Sequence, residues 1–519
     1  MMCDNVAGVD MGKKLGPILL AVVLCSACTA NLNAQWNQYN QKLVGAGAVG
    51  YALQGCSVSL SADGNTAIVG GPADSNYVGA AWVWSRGIDG QWSQQGGKLV
   101  GTNGVGFPQL QGRAVSLSAD GNVAIVGAMF DNSVGSVRVY TRTNGVWSEQ
   151  QRLIGTSYSG DANQGLSLSL SSDGNTAIVG GPNDNNMVGA VWMWTRDQNG
   201  RWNQQGGKLV GAGAIGDARQ GFSVAISGDG KTAIVGGDFD DYMSGAAWVW
   251  TRDSNNVWTQ VAKLVGSGAA GHAQQGCSVS VSADGYTAMV GGYADSNRVG
   301  AVWVWKRDYS GVWSQQGAKL VGSGGVGLTD QGGSVCLSGD GNTGIEGGWR
   351  DNDSVGAIWL WKRDQNGTWS QDGTKLVGSG AVGRPAEGQS VALSSDGNTA
   401  LVGGWYDGSN AGATWVFVRI PVGVTERDNV TPSTNALSQN YPNPFNPSTT
   451  IKYELPKASH VTLTVFNTLG QQVALLQNGE QEAGYHEVKF DGAGLSSGVY
   501  FYRIQAGDFV QTRKLMLIR

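Results

Sequence analysis

The chain predicts an all-β fold, a seven-bladed β-propeller followed by a small immunoglobulin-like β-sandwich. Three features of the sequence carry this. A Trp followed by a polar run and Lys-Leu-Val-Gly, or a variant of it, recurs at Trp36, Trp92, Trp147, Trp202, Trp258, Trp313 and Trp369, so seven units follow one another every 55 or 56 residues. Each unit holds four short strand-like stretches, in the second unit 92–100, 114–118, 123–127 and 136–141. Between the second and third stretches stands an Asp-Gly pair: Asp63-Gly64, Asp120-Gly121, Asp173-Gly174, Asp229-Gly230, Asp284-Gly285, Asp340-Gly341 and Asp396-Gly397. Tight hairpin turns need positive φ, and Asp-Gly between alternating apolar residues supplies it. After Arg419 this period stops and a different pattern of apolar alternation begins.

The first 34 residues read as a secretory signal, with Lys13 and Lys14 ahead of an apolar stretch over 15–24 and small residues up to Ala34. Asp4 and Asp10 suit such a signal poorly, which places the start of translation at Met11. About ten apolar residues are too few to span a bilayer, and no other long apolar run exists, so the mature chain is expected to carry no transmembrane segment. Cys28 has Cys25 three positions before it instead of an aliphatic residue, which argues against lipidation.

Residues 35–420 hold the seven units. The first begins with a lone strand at 36–44 and the last stops after its third strand at 414–419. The N-terminal strand is therefore expected to complete the last blade and close a ring, whereas an open solenoid would need caps. With 83 Gly, 20 Trp and only 14% charged residues the chain has ample apolar mass to bury. The net charge of −5, without a basic run, argues against nucleic acid and anionic membranes as partners. Outside the signal only Cys56, Cys277 and Cys336 remain, with no Cys-x-x-Cys spacing, and they read as small buried side chains.

Two sets of candidate site residues stand out. Pairs such as Trp82/Trp84, Trp192/Trp194 and Trp248/Trp250 share one strand face and fit the packing between blades. The Trp that opens a unit lies among polar residues of the outermost strand and is the better exposed candidate for stacking on a ligand: Trp92, Trp147, Trp202, Trp258, Trp313 and Trp369. Acidic loops after the second strand are the other set, with Asp238, Asp240 and Asp241 in the fourth unit and Asp351 and Asp353 in the sixth. They are candidates for calcium, although solvated Asx-rich turns are the favoured account of them; no cofactor is otherwise expected. Two residues break the repeat inside strands, Arg138 where other units have Trp and Glu346 where others have Val; both fit drift at a tolerant edge, with ligand contact as the alternative. The His residues, His272, His460 and His486, have no partners at metal or triad spacing, so no enzymatic function is expected.

Residues 421–437, with Pro, Thr and Asn and no period, read as a linker. A separate β domain follows over 438–519, with alternating runs at 450–455, 461–466, 472–476, 486–490, 499–505 and 509–518.

Two resemblances follow from these residues. Gly55, Ser57-Val58-Ser59-Leu60, Asp63-Gly64, Ile68-Val69-Gly70-Gly71-Pro72 and Gly79-Ala80-Ala81-Trp82-Val83-Trp84, with their counterparts over 36–420, resemble FG-GAP repeats, the blades of integrin-α-like propellers. The pattern departs from that family where Gln54, Gln111, Gln164, Gln220, Gln275, Gln331 and Glu387 replace an aromatic residue. The C-terminal domain resembles the type A sorting domain of the type IX secretion system. The residues that carry this are Asn440-Tyr441-Pro442-Asn443-Pro444-Phe445-Asn446-Pro447, then Val465 to Gln471 around Gly470, then Leu495 to Tyr502 with Gly498 and Tyr500, and Lys514-Leu515-Met516-Leu517. That resemblance implies handling by the type IX machinery and release to, or attachment at, the cell surface. The expected function is a secreted or surface-displayed monomeric ring that binds without catalysis. A carbohydrate or glycoconjugate is the favoured extracellular ligand, a protein partner of an adhesin the alternative, and an extracellular hydrolase the third reading.

Overall fold

The computed structural model describes residues 35–87, 89–420, 435–438, 440, 443 and 445–518. The signal at 1–34, the linker up to 434, and Tyr441, Pro442 and Pro444 of the sorting motif lie outside the described residues. Two compact units are present.

The first unit is seven four-stranded antiparallel sheets. In the first sheet Ser57–Leu60, Thr66–Gly71, Ala80–Arg86 and Trp92–Gln94 pair in chain order. The innermost strands of successive sheets touch, and that of the seventh, Ser390–Leu393, touches that of the first, so the sheets form a closed ring, the arrangement of a β-propeller. Sheets and sequence units are one strand out of phase: the Trp-led segment that opens a unit is the outer strand of the preceding sheet. In the seventh sheet that place is filled by Gln35–Gln38, paired with Ala413–Ile420 in the register Gln35 to Ile420 and Gln38 to Phe417.

Local chemistry explains the blade. Asp63 Oδ1 accepts hydrogen bonds from Ser61 Oγ at 2.5 Å and Asn65 N at 3.0 Å, and Gly64 follows at φ +70°, so the first two strands are joined by a turn that needs glycine. The second strand, Thr66–Gly71, is buried along its whole length because blades cover both its faces. Its end is glycine because a Cβ on Gly70 would stand 2.1 Å from Gly112 O of the next blade. The third strand carries a buried indole, and six of these, Trp82, Trp192, Trp248, Trp303, Trp359 and Trp415, donate Nε1–H to a backbone carbonyl at 2.8 to 2.9 Å.

One end of the channel is ringed by hydrogen bonds from blade to blade. Backbone amides of Ala62, Ala119, Ser172, Asp229, Ala283, Gly339 and Ser395 each donate to a carbonyl of the next blade, and the seventh bond, Ser395 N to Ala62 O at 2.9 Å, completes the circuit. The opposite end carries the loops between second and third strands and those that lead into each inner strand; Val49 N bonds Asp74 Oδ1 at 2.7 Å across this pair.

The second unit packs a three-stranded sheet of Ala436–Leu437, Ser448–Leu455 and Gly484–Asp491 on a four-stranded one of Gln472–Gln481, Ser459–Phe466, Gly498–Ala506 and Phe509–Leu517. Leu437, Ile451, Tyr453 and Leu455 of one sheet share a core with Val461, Leu463, Tyr502 and Ile504 of the other. Ala436–Leu437, expected in the linker, instead pair with Tyr453 and Glu454.

Candidate functional site

The Trp residues that open each unit are not the exposed platform expected of them. Trp202, Trp258, Trp313 and Trp369 are buried, and Trp92 and Trp147 half-buried. Guanidinium groups lie over the rings, Arg142 at 5.5 Å from Trp147, Arg252 at 5.7 Å from Trp258 and Arg363 at 5.6 Å from Trp369. The indole N–H groups of these three donate to Gln95, Gln205 and Gln316 of the preceding blade at 3.1 to 3.2 Å. A strand at the blade edge leaves room for an indole to clamp its neighbour, and this geometry does so.

The acidic loops are likewise built into the blades. Asp240 accepts from Ile215 N at 2.8 Å and Lys263 Nζ at 2.6 Å, and Asp351 from Val326 N at 2.7 Å and Lys375 Nζ at 2.6 Å. The lysine is that of the repeated Lys-Leu-Val-Gly, so motif and acidic loop are two halves of one contact. Asp241 points to solvent at φ +47°, and exposed Asp353 pairs with Arg384 at 2.5 Å. No three His, Cys, Asp or Glu side chains gather as a metal set among the described residues.

The two breaks in the repeat are core residues, not edge drift. Arg138, 1% exposed, donates to Thr102 O at 2.5 Å, the counterpart of the indole bond elsewhere. Its charge is met by Asp131 and Glu149, each at 3.1 Å, and Glu149 stands where other outer strands have Gln. Glu346 is 0% exposed; its Oε1 accepts Trp361 Nε1–H at 2.9 Å while Oε2 has no partner, and burial pushes the carboxyl up to about 8. The Gln that stands before the glycine leading into each inner strand also has a structural role. Gln54 accepts Gly45 N at 2.6 Å and donates to Gly45 O at 3.1 Å, and Gln164, Gln220, Gln275 and Gln331 repeat the pair. Glu387 accepts Gly378 N at 2.5 Å, but its Oε1 is buried without a partner, and burial, aided by Asp407, raises it to about 8.

What remains is the open mouth of the channel, a cavity of about 610 Å³. Its lining is set where the repeats disagree. The residue before the inner-strand Ser, or before Ala114 in the second blade, is Cys56, Arg113, Leu166, Phe222, Cys277, Gly333 or Gln389, and the residue after the paired glycines is Tyr293, Trp349 or Trp405 in the last three blades; Asp238 holds that place in the fourth blade. Aromatic groups collect on one side: Tyr293, Trp349, Trp405 and Tyr406, the last two stacked at 4.8 Å. Arg298 lies 5.3 Å from the Tyr293 ring and Arg350 4.9 Å from that of Trp349. Asp238 is buried, with Oδ2 3.5 Å from Arg219 and Oδ1 unpartnered; burial pushes it up to about 6 despite Arg219. Burial also lifts the Cys277 thiol to about 12, which keeps it inert at neutral pH. Sequence reasoning missed this set because it favoured residues that recur; disagreement at these two positions was the available signal.

In the second unit Phe445 is buried, Asn443 Oδ1 accepts Met516 N at 2.8 Å, Pro447 O accepts Gly492 N at 2.8 Å beside exposed Asn446, and Tyr500 donates to Ser496 O at 2.8 Å. Gly470 makes its turn at φ +77°, and Gly498 and Lys514 lie opposite Leu517 and Phe501 on paired strands. Residues 439–518 match the family of secretion system C-terminal sorting domains. The chain carries a type IX sorting tail. The protein is therefore exported to the cell surface or beyond it, and no helix of the described residues is long and apolar enough to cross a membrane. Among curated proteins none matches the chain. Solved structures of similar shape are distant. PorZ, a surface component of the type IX secretion system of Porphyromonas gingivalis, is 13% identical over 89% of this chain and 59% of its own, with a TM-score of 0.36. The GH74 xyloglucanase of Xanthomonas campestris is 13% identical over 81% and 59%, at 0.44. The WD40 repeats of RRP9 are 11% identical over 75% and 98%, at 0.41.

Proposed function

We propose that this exported protein is a non-catalytic glycan-binding protein whose ring holds its ligand at the open mouth of the channel. One observation carries the reading: Tyr293, Trp349, Trp405 and Tyr406 form an aromatic side to a cavity of about 610 Å³ that polar groups complete. Flat aromatic surface beside fixed hydrogen-bonding groups is what a sugar ring needs. Binding is favoured over acid–base catalysis because Asp330 is gripped by Arg298 at 2.7 Å and Asp238 lies beside Arg219. We read the repeated units as of FG-GAP type and the C-terminal unit as an immunoglobulin-like sandwich; the repeated strand and turn motifs and the two-sheet core support these assignments.

The test is binding of the secreted full-length protein to a broad glycan panel, with calcium and again with chelator. Binding lost on Trp405→Ala supports the reading, and silence on the whole panel rejects it. A second reading, a protein partner, is favoured by the exposed Val49, Tyr51, Phe107 and Tyr242 on loops at the same end. Retained glycan binding after Tyr51→Ser and Phe107→Ser would separate the two.

A further inference from the structure

The mouth is charged in the opposite sense to the chain that carries it. The protein has a net charge of −5, yet the charged residues that line the opening are two guanidinium groups, Arg113 and Arg298; Arg219 and Arg350 lie close by, beside Asp238 and Asp330, which makes four guanidinium groups in all. Three of the four are engaged. Arg298 holds Asp330 through Nε at 2.9 Å and Nη2 at 2.7 Å, and Arg350 stands 3.7 Å from the same carboxylate. Arg219 reaches Asp238 at 3.5 Å between the rings of Phe222 and Phe239, each 4.7 Å away. Arg113 differs. It lines the cavity, half-buried, and the side-chain partner of its guanidinium among the described residues is Cys56 Sγ at 3.6 Å. A thiol is a weak acceptor, and burial holds this one protonated by raising its pKa.

The ring places Arg113 beside the aromatic side. The start of each inner strand meets the end of the second strand of the preceding blade: a Cβ on Gly55 would lie 2.9 Å from Gly404 N. Cys56 and Trp405 follow these two glycines, so Trp405 and Arg113 flank Cys56 from either side. Trp405 presents a ring stacked on Tyr406, and its Nε1–H is buried without a partner. One bay of the mouth thus combines a flat apolar face and a guanidinium fork without a carboxylate.

We infer that the mouth takes an acidic saccharide, a uronic-acid unit whose carboxylate sits on Arg113 and whose ring lies against Trp405. The inference rests on the glycan-binding reading above and names its ligand class. A carboxylate matches the two parallel N–H groups of arginine, and the pair strengthens where water is excluded. The C–H face of a pyranose covers the indole.

The experiment is calorimetry of the secreted full-length protein at low ionic strength. The probes are hexamers of galacturonate, mannuronate and glucuronate, each with its carboxyl-reduced neutral counterpart, and dextran sulfate. At least one uronate is expected to bind about tenfold or more tightly than its reduced form, the scale of one charge-assisted pair. Arg113→Gln should remove that preference and leave binding of the reduced form within about twofold, since no charge meets it there; Trp405→Ala should weaken both forms. Because the comparison of a ligand with its reduced form uses the unaltered protein, it stands even if a variant folds poorly. Equal binding of uronates and reduced forms overturns this inference and leaves the glycan reading intact. Binding of dextran sulfate with no uronate bound overturns the carboxylate assignment. Silence on every probe here and on the broad neutral panel overturns both.

Discussion

Glu387→Gln should make the ring more stable, and increasingly so as pH rises. Five other blades show what the amide would do: at Gln331, Oε1 accepts Gly322 N at 2.5 Å and Nε2 donates to Gly322 O at 3.0 Å. The carboxylate of Glu387 keeps only the first bond, with Gly378 N, and leaves Oε1 buried and unpartnered. Its pKa, raised by burial from 4.5 to about 8, means that the folded state holds a proton which the unfolded chain releases. Stability from that proton is complete below pH 4.5 and is lost as pH climbs to about 8; the full shift corresponds to on the order of 3–5 kcal/mol. A Gln removes the titration and adds a hydrogen bond of about 1 kcal/mol. All 20 tryptophans lie between Trp36 and Trp415, so their fluorescence during urea unfolding reports the ring alone. The midpoint of the variant should exceed that of the wild type at pH 8, with the gap narrowing toward pH 5. A gap of equal size at both values, or a variant less stable at pH 8, would refute the assignment of Glu387 as a misfit in a glutamine site.

Other outcomes are open to measurement. Glu346→Gln keeps an acceptor for Trp361 and removes the second raised carboxyl, so thermal unfolding should shift upward at pH 8 and change little at pH 5. Glu149→Gln leaves the buried Arg138 one carboxylate short and should cost about 2–4 kcal/mol in urea titrations, whereas the reversion pair Arg138→Trp with Glu149→Gln should recover most of that loss. Trp258→Ala should destabilise the ring by about 3 kcal/mol of lost packing, read as a lowered melting temperature, without altering glycan affinity, while Trp405→Ala should weaken glycan binding with a smaller loss of stability. A chain ending at Ile420 should remain in the periplasm on fractionation, because the sorting tail is missing.

The ring was legible because each blade repeats the same demands: an Asp-Gly turn, a glycine where blades touch, an indole in the third strand. The lining of the open mouth was not, for the same physical reason. A residue that every blade needs serves the blade, so Trp147, Trp258 and Trp369 clamp edges under arginine, and the lysines and aspartates of the repeat hold one another. Strands covered on both faces also lose the alternation that marks a solvent side, which hid how deeply Glu346 and Arg138 lie. The mouth could be found only by asking where the seven copies differ at inner-strand starts and after the paired glycines. The sorting tail was plain because its motif residues are themselves fold determinants, as the Asn443 and Phe445 contacts show.

Closure of the seventh sheet by Gln35–Gln38 sets a timetable for the molecule. Lys42 and Asp407 meet although 365 residues separate them, and Trp36 and Asp372 meet across 336. Each earlier sheet assembles from neighbours in sequence, but this one demands the loop-closure entropy of the whole circle before its contacts reward it. The last strand of the ring must therefore find the first, and a chain still emerging holds an unfinished, open-sided arc. Once shut, the circle has no terminal blade to fray, so a bay built from residues of different blades inherits the rigidity of all seven.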